Sequence, residues 1–392
     1  MRVQCEETFL LTTRGTFSDF INLKMIYRLS LSKMLIGVGA SLVCKRWRGI
    51  LADRRFVQRF RKHHRKPPLL GYFVKKYKGA SFTSMSDFTL ITSSIPRLRH
   101  LNLVYCRHGV ALFLDALCEI LVWNPITNVQ CHVAFPRGLN HDPVCRVETA
   151  AVLCSASDNL LVQGEFMLVL VGYYPNQAKA FTCLYQSKSG LWGEIMSTPA
   201  RCSVYRNRTS VHVGNTLCWL LYTTEIFQFD FERQTFAVIE KPSGAYAGVN
   251  CWHFQPLQTE DGGLGLAVCS KTINIQLWAR KSNCDDIVSW VLQKTIQLDD
   301  QISHPVFLTK ARCVVMMGYD EDTNVIFLCF ESCHYFMLQL DSMQFRHIGT
   351  KTDWYYKMCY PYRNFYTKGL TGHLKISEVA CFFVWMVMIL TI

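Results

Sequence analysis

Hydrophobic positions recur with two different periods along this chain of 392 residues. Between Ser41 and Pro68 the period is helical. Val43, Trp47, Ile50 and Leu51 fall three or four residues apart, on one helical face, and Lys45, Arg46 and Arg48 fall on the other side. Asp53 is placed to cap a second helix, because a short carboxylate accepts the free N–H groups of a first turn. Phe56, Val57 and Phe60 give that helix an apolar stripe, and Pro67 with Pro68 ends it. The pattern predicts two short amphipathic helices with Trp47 at their joint. A helical hairpin docked on a larger domain needs nothing more than this.

From Leu69 onward the period is two. Residues 69–74 read as a strand, 75–97 as a polar, weakly patterned loop, and 104–108 and 109–114 as strands again. Residues 119–123 form a strand closed by Asn124-Pro125-Ile126-Thr127, a turn sequence in which Pro presets φ and Asn bonds its own backbone. This unit returns. Phe227, Phe229 and Phe231 alternate, and Glu232 precedes Phe236 by four residues; Leu338 and Leu340 alternate after Phe336, and Asp341 precedes Phe345 by four. Trp123, Phe231 and Leu340 stand 108 and 109 residues apart. A second kind of unit lies between them: residues 180–185 followed by Ser189-Gly190-Leu191-Trp192, and residues 273–278 followed by Ser289-Trp290-Val291. Two units of about 54 residues fill each period, near the kelch range, and each supplies the three or four short strands of one propeller blade. Five or six blades are expected over residues 69–360.

The helical stretch carries more than periodicity. The run Leu42-Val43-Cys44-Lys45-Arg46-Trp47-Arg48, with Leu51, Asp53 and Phe56, resembles the C-terminal half of an F-box. Its continuation through Phe60, His63-His64-Arg65-Lys66-Pro67-Pro68-Leu69-Leu70-Gly71 and Phe73 resembles plant (grass-type) F-box proteins that carry a β-propeller-like associated domain. The resemblance implies a mainly β chain: a loosely ordered residues 1–24, a partial F-box over 25–66, a kelch-like or F-box-associated propeller over 69–360, and an atypical apolar tail over 361–392. It implies that Leu42, Val43, Trp47, Leu51 and Phe56 form the core of helices that dock on the Skp-type adaptor of an SCF-type cullin–RING ubiquitin ligase, while the propeller binds a target protein. The Leu-Pro pair and the L-x-x-E-I-L-x-R-L-P helix that open an F-box have no counterpart upstream of Ser41. Position 54 is Arg where the family often has Pro. The first half of the motif, which supplies much of the adaptor contact in the family, is missing or degenerate. A decayed F-box protein acting as an interaction scaffold without ubiquitin transfer is the second reading.

Charge and cysteine narrow the setting. The net charge of +13 is concentrated: residues 1–78 hold 18 Lys and Arg against 4 Asp and Glu. A compact basic segment attracts acidic surfaces, but no base-reading motif accompanies it, and no nucleic-acid partner is expected. Arg61 to Lys66 also suit a helix C-terminus. The 18 cysteines are irregularly spaced, with no C-x-x-C pair and no secretory leader, which fits free thiols in the cytoplasm or nucleus. Cys329, Cys333 and His334 are the nearest approach to a metal cluster; read as one strand, they split between its two faces. Gly71, Gly172, Gly214 and Gly318 are expected at turns needing positive φ, and Gly262-Gly263-Leu264-Gly265 as a turn. The tail's final 14 uncharged residues would span about 21 Å as a helix, short of a bilayer, so a membrane partner is not expected.

No G-x-S-x-G elbow, H-E-x-x-H, Walker loop or kinase set is present, and no cofactor or catalytic residue is expected. A propeller of this kind is a binding platform whose loops gather at one face. Tyr173, Tyr174, Arg206, Arg208, Trp252, His253, Tyr319 and Trp354 fall in or beside predicted turns. Their aromatic and Arg character makes them the candidate partner-binding residues.

Overall fold

The computed structural model describes residues 55, 63, 66–75, 80–84, 101–115, 118–139, 145–154, 165–206, 208–245, 250–270, 274–282, 287–298, 314–330, 334–350 and 358–364. The chain divides into two units, Leu69–Arg363 and a second made of Met1–Pro68 with Asn364–Ile392. The F-box core positions Leu42, Val43, Trp47, Leu51 and Phe56, the apolar end of the tail and Trp354 lie outside the described residues.

Unit Leu69–Arg363 is a six-bladed β-propeller. The chain enters through β1 (Leu69–Lys75) and β2 (Ala80–Ser84). Blade 2 is β3 (Asn102–Arg107), β4 (Val110–Leu114), β5 (Glu119–Trp123) and β6 (Gln130–Ala134). Blade 3 is β7 (Arg146–Cys154), β8 (Phe166–Tyr174), β9 (Lys179–Gln186) and β10 (Leu191–Trp192), with β11 (Met196–Pro199) also pairing β9. Blade 4 is β12 (Val211–Val213), β13 (Thr216–Leu220), β14 (Ile226–Asp230) and β15 (Thr235–Ile239). Blade 5 is β16 (Phe254–Gln258), β17 (Leu264–Cys269), β18 (Asn274–Ser282) and β19 (Val288–Gln297). Blade 6 is β20 (Val314–Asp320), β21 (Val325–Phe330), β22 (His334–Gln339) and β23 (Phe345–Thr350). The last strand, β24 (Cys359–Arg363), pairs antiparallel with β1 and completes blade 1 in the order β2-β1-β24. The ring thus closes by joining its two ends in one sheet, with β24 lying between β3 and β20.

The first and third strands of the hairpin-linked sheets alternate or run apolar because both sheet faces are covered by neighbouring blades. Phe73, Phe113, Trp123 and Tyr362 interlock between blades 1 and 2, with Phe73 5.6 Å from Tyr362 and 6.0 Å from Trp123. Burying each such ring contributes about 2–3 kcal/mol. Phe227 and Phe229 do the same in the larger core spanning blades 2 to 4.

The two-blade period is real, and its register is corrected by the turns. Asn124 Oδ1 accepts from the N–H groups of Ile126 and Thr127 (3.0 and 3.2 Å), and Asp230 Oδ1 accepts from those of Glu232 and Arg233 (3.0 and 2.8 Å). Each turn ends four residues later in a left-handed residue, Asn128 (φ 57°) or Gln234 (φ 55°); Met343 (φ 57°) is the third copy. The residues matching Trp123 are therefore Phe229 and Leu338, not Phe231 and Leu340, which lie beyond their strands. The intervening blades carry the second unit: Trp192 and Trp290 sit on outer strands and donate their indole N–H to the preceding blade, at Ala134 O (2.8 Å) and Glu240 O (2.7 Å).

Three expectations fail for local reasons. Residues 75–97 are not all loop, since β2 pairs β1 there; its residues are only half-buried, so its apolar signal is faint. Gly214 has positive φ (57°), but Gly71, Gly172 and Gly318 sit inside strands beside β-bulges, where a Cβ would collide with Thr83 O, the Phe181 ring and Cys359 O respectively. Cys329 and His334 do not share a strand: β21 and β22 form a hairpin that pairs Phe330 with His334. Cys183, Cys218, Cys269 and Cys329 are buried and take part in no disulfide among the described residues. Among the described residues no helix is long and apolar enough to cross a membrane.

Candidate functional site: the front face of the propeller

The innermost strands β3, β7, β12, β16, β20 and β24 run in one direction, so one face collects their beginnings and the opposite face their ends. Call the first the front. Blade 4 enters its inner strand there by an irregular path. Val204 bridges Leu221, Tyr205 N donates to Leu220 O (2.7 Å), and Arg208 N donates to Tyr205 O (3.0 Å). This tight turn sends Arg206 outward and Arg208 inward. The Arg206 side chain is 46% exposed, whereas Arg208 is 2% exposed. Arg208 donates to Trp252 O of blade 5 (2.9 Å) and meets Met358 Sδ (3.3 Å) just before β24. Its Nε has no partner and no carboxylate meets it among the described residues. Burial pushes its guanidinium down to about 10, so it remains a cation at neutral pH.

Three more charged side chains converge beside it. Glu148 projects from β7 almost fully buried and pairs with Arg206 Nε. Lys75 ends β1, its backbone N–H bonded to Met358 O (3.1 Å). No carboxylate pairs with its ammonium among the described residues. Burial, with the Arg206 charge adding to it, pushes that ammonium down to about 8. Asp115 follows β4 in a tight turn, N–H to Glu119 O (2.9 Å) and C=O from Cys118 N (3.2 Å), and its Oδ1 is buried without a partner. Tyr222, 47% exposed, stands edge-on to Tyr205 with ring centres 5.1 Å apart. These groups line a cavity of about 420 Å³, with Phe135 and Leu139 supplying apolar wall.

Of the residues singled out by sequence, Arg206 lines this cavity, and Arg208 does not line it but is buried against Trp252 and Met358. Trp252 and His253 form the short 3₁₀ turn that opens β16, also at the front, where the Trp252 carbonyl serves Arg208. Tyr173 and Tyr174 end β8 at the same face but are engaged by their own blade: Tyr173 Oη donates to Ala200 O (3.4 Å), and the Tyr174 ring lies 4.8 Å from Phe181. Tyr319 stands apart from these: it lies beside the turn after β20, at the opposite face and 4% exposed, with its hydroxyl bonded to Asn324 Oδ1 (2.9 Å). Lys75, Asp115, Glu148 and Tyr222 were missed. Glu148 alone left a local signal, a charge inside the apolar run of β7.

The back face is built differently. Arg363 on β24 forks onto both Asp320 oxygens of β20 (Nε at 2.8 and 2.9 Å) and onto Thr323 Oγ1 (2.7 Å). Arg107 Nη1 pairs with Glu321 Oε2 (2.7 Å), and Glu321 Oε1 accepts from His212 N (3.1 Å). Burial beside Arg107 holds His108 and His212 down to about 3 and about 4, both neutral at pH 7. Only about 30 Å³ is left open among these groups. Among the described residues no three His, Cys, Asp or Glu side chains gather as a metal site.

Comparison with known proteins gives one family. The family model described as "F-box protein AT5G49610-like, beta-propeller" matches residues 102–366. No curated protein matches the chain. Among solved structures, the one described as "Crystal structure of BBS1N in complex with ARL6DN, soaked with mercury" is 8% identical, with 67% of this chain and 74% of that chain covered and a TM-score of 0.36. With a matched segment that takes in most of the propeller, from β3 through β24, this chain belongs to the F-box protein AT5G49610-like beta-propeller family.

Proposed function

We propose that this chain is a substrate-recognition subunit of an SCF-type cullin–RING ubiquitin ligase, with the propeller holding a target protein at its front face. The observation that carries the reading is the front cavity: on a propeller of an F-box protein family, it is an open site where the Lys75 ammonium and an Asp115 oxygen find no partner among the described residues. The mechanism is tethering. The helices around Leu42, Val43, Trp47, Leu51 and Phe56 dock on the Skp-type adaptor, and the propeller raises the target's effective concentration at the ubiquitin-conjugating enzyme. No catalytic side chain is required of this chain. The test is binding of the full chain to a purified Skp-type adaptor. Micromolar or tighter binding, lost in Trp47→Ala, is expected; no binding by the wild-type chain sinks the ligase assignment.

The absent Leu-Pro half of the F-box favours one alternative, a scaffold that binds its partner through the same front face without ubiquitin transfer. It would show target binding with no adaptor binding.

A further inference from the structure

We propose that the front cavity receives an acidic side chain of the target, an aspartate or glutamate in an extended peptide segment, with Lys75 and Arg206 as the cationic partners of its carboxylate. This rests on the receptor reading above and names what the receptor reads.

Lys75 and Arg206 line the cavity with Asp115 and Glu148, but of these four only Arg206 and Glu148 pair. Lys75 has no ion pair among the described residues, and it lies close enough to Arg206 for the two cations to repel. Glu148 occupies only the Nε side of Arg206, and the guanidinium is nearly half exposed at the cavity. Behind them Arg208 adds a third cation with no carboxylate against it; its Sδ contact, Met358, also accepts the Lys75 backbone N–H. A half-buried ammonium without a counter-ion is costly, and the cost is recovered only when an anion arrives.

Asp115 tells what accompanies that anion. Its buried Oδ1 has no donor among the described residues, so a ligand that brings an N–H or O–H as well as a carboxylate is matched to it. An acidic residue with its own backbone amide supplies both. A cavity of about 420 Å³ holds one or two residues, near the lower end of ligand sites. Tyr222 at the rim gives a neighbouring apolar residue a face to pack against. A basic side chain would be drawn to Asp115 but would meet Lys75 and Arg206, whereas an acidic residue with its own amide serves Lys75 and Asp115 together.

The test starts from the full chain and a displayed library of random ten-residue peptides containing Asp, Glu and phosphoserine. Enriched peptides are synthesised, and their affinities are read by fluorescence anisotropy. The expected result is a shared acidic position, at which Glu→Gln weakens binding at least tenfold. Lys75→Met should weaken binding by a similar factor and add little to the peptide's own Glu→Gln, while Lys75→Arg stays within a few-fold of wild type. Arg206→Gln, at a half-exposed side chain, is the second variant; because it takes the cation from buried Glu148, its unfolding midpoint is measured beside its affinity. Enriched peptides without an acidic position, or unchanged affinity in both variants, would overturn the acidic-residue assignment and leave the receptor reading standing. Phosphoserine preferred over Glu by more than tenfold would also overturn it, in favour of a phosphorylated target. No enrichment of any peptide would overturn both readings.

Discussion

The two ends of the propeller's channel use the same residue types to opposite effect. At the back, Arg363 meets Asp320 and Thr323, and Arg107 meets Glu321, so every one of these cations has its carboxylate. At the front, Lys75 and Arg208 meet no carboxylate among the described residues, and an Asp115 oxygen meets no donor. The open volumes follow the charges, about 30 Å³ against about 420 Å³. The back pairs join inner strands that are remote in sequence, β20 to β24 and β3 to the turn after β20. They help to hold the ring shut. The front has one such join, Glu148 of β7 to Arg206, but Lys75 and Arg208 add cations that no carboxylate meets among the described residues, and that unmet charge is where a partner can gain affinity. Fully matched charge marks the clasp, and partly matched charge marks the mouth.

The sharpest way to break this contrast is at the clasp. Arg363→Ala leaves Asp320 buried and alone, and should cost about 3–5 kcal/mol of stability in chemical denaturation. An unchanged unfolding midpoint would mean that closure rests on the β1–β24 ladder alone. At the mouth the sign reverses. Lys75→Met removes an ammonium that folding holds at about 8 rather than about 10.5, so it should stabilise by up to about 3 kcal/mol at pH 7. The pH window follows from the sign: the folded state releases this proton first, so the penalty is fully present below pH 8 and fades as pH rises from 8 to 10.5. Wild type and Lys75→Met should therefore converge in melting temperature near pH 10.5; a constant gap would assign the gain to packing. Trp290→Phe, which belongs to neither end, should cost about 1 kcal/mol by removing the donor to Glu240 O, and Trp192→Phe about the same. Unequal costs would show that the two-blade repeat is not energetically repeated. The smallest stability effect is expected for Tyr222→Ala at the rim, under about 1 kcal/mol, because surface changes seldom exceed that.

The blades were legible because their signals are local. Alternating Phe227 and Phe229, the Asn124 turn, and the outer tryptophans Trp192 and Trp290 with the residues just before them each declare themselves within a short stretch of sequence. The register slipped by two at Phe231 and Leu340 because alternation continues past the strand, and only the left-handed turn residue fixes where it ends. The faint strand β2 was lost for the opposite reason, half-burial at every position. The mouth was legible only in part. Arg206 and Arg208 showed up as cations beside a turn, but Lys75 was absorbed into the basic count of residues 1–78. The site is assembled from residues 75, 115, 148, 206 and 222, which come together through ring closure. Tyr319 falls at the other face for a related reason: nothing nearby in sequence tells which face a strand end reaches.

The most direct test of front against back is one variant measured two ways. Lys75→Met is denatured at pH 7, and its affinity for a peptide selected on the wild-type chain is read in the same buffer. A chain more stable than wild type that binds at least tenfold more weakly is expected, because the unmatched charge is held for the ligand and not for the fold. A less stable chain with unchanged affinity would contradict this and place Lys75 among the groups that hold the propeller together.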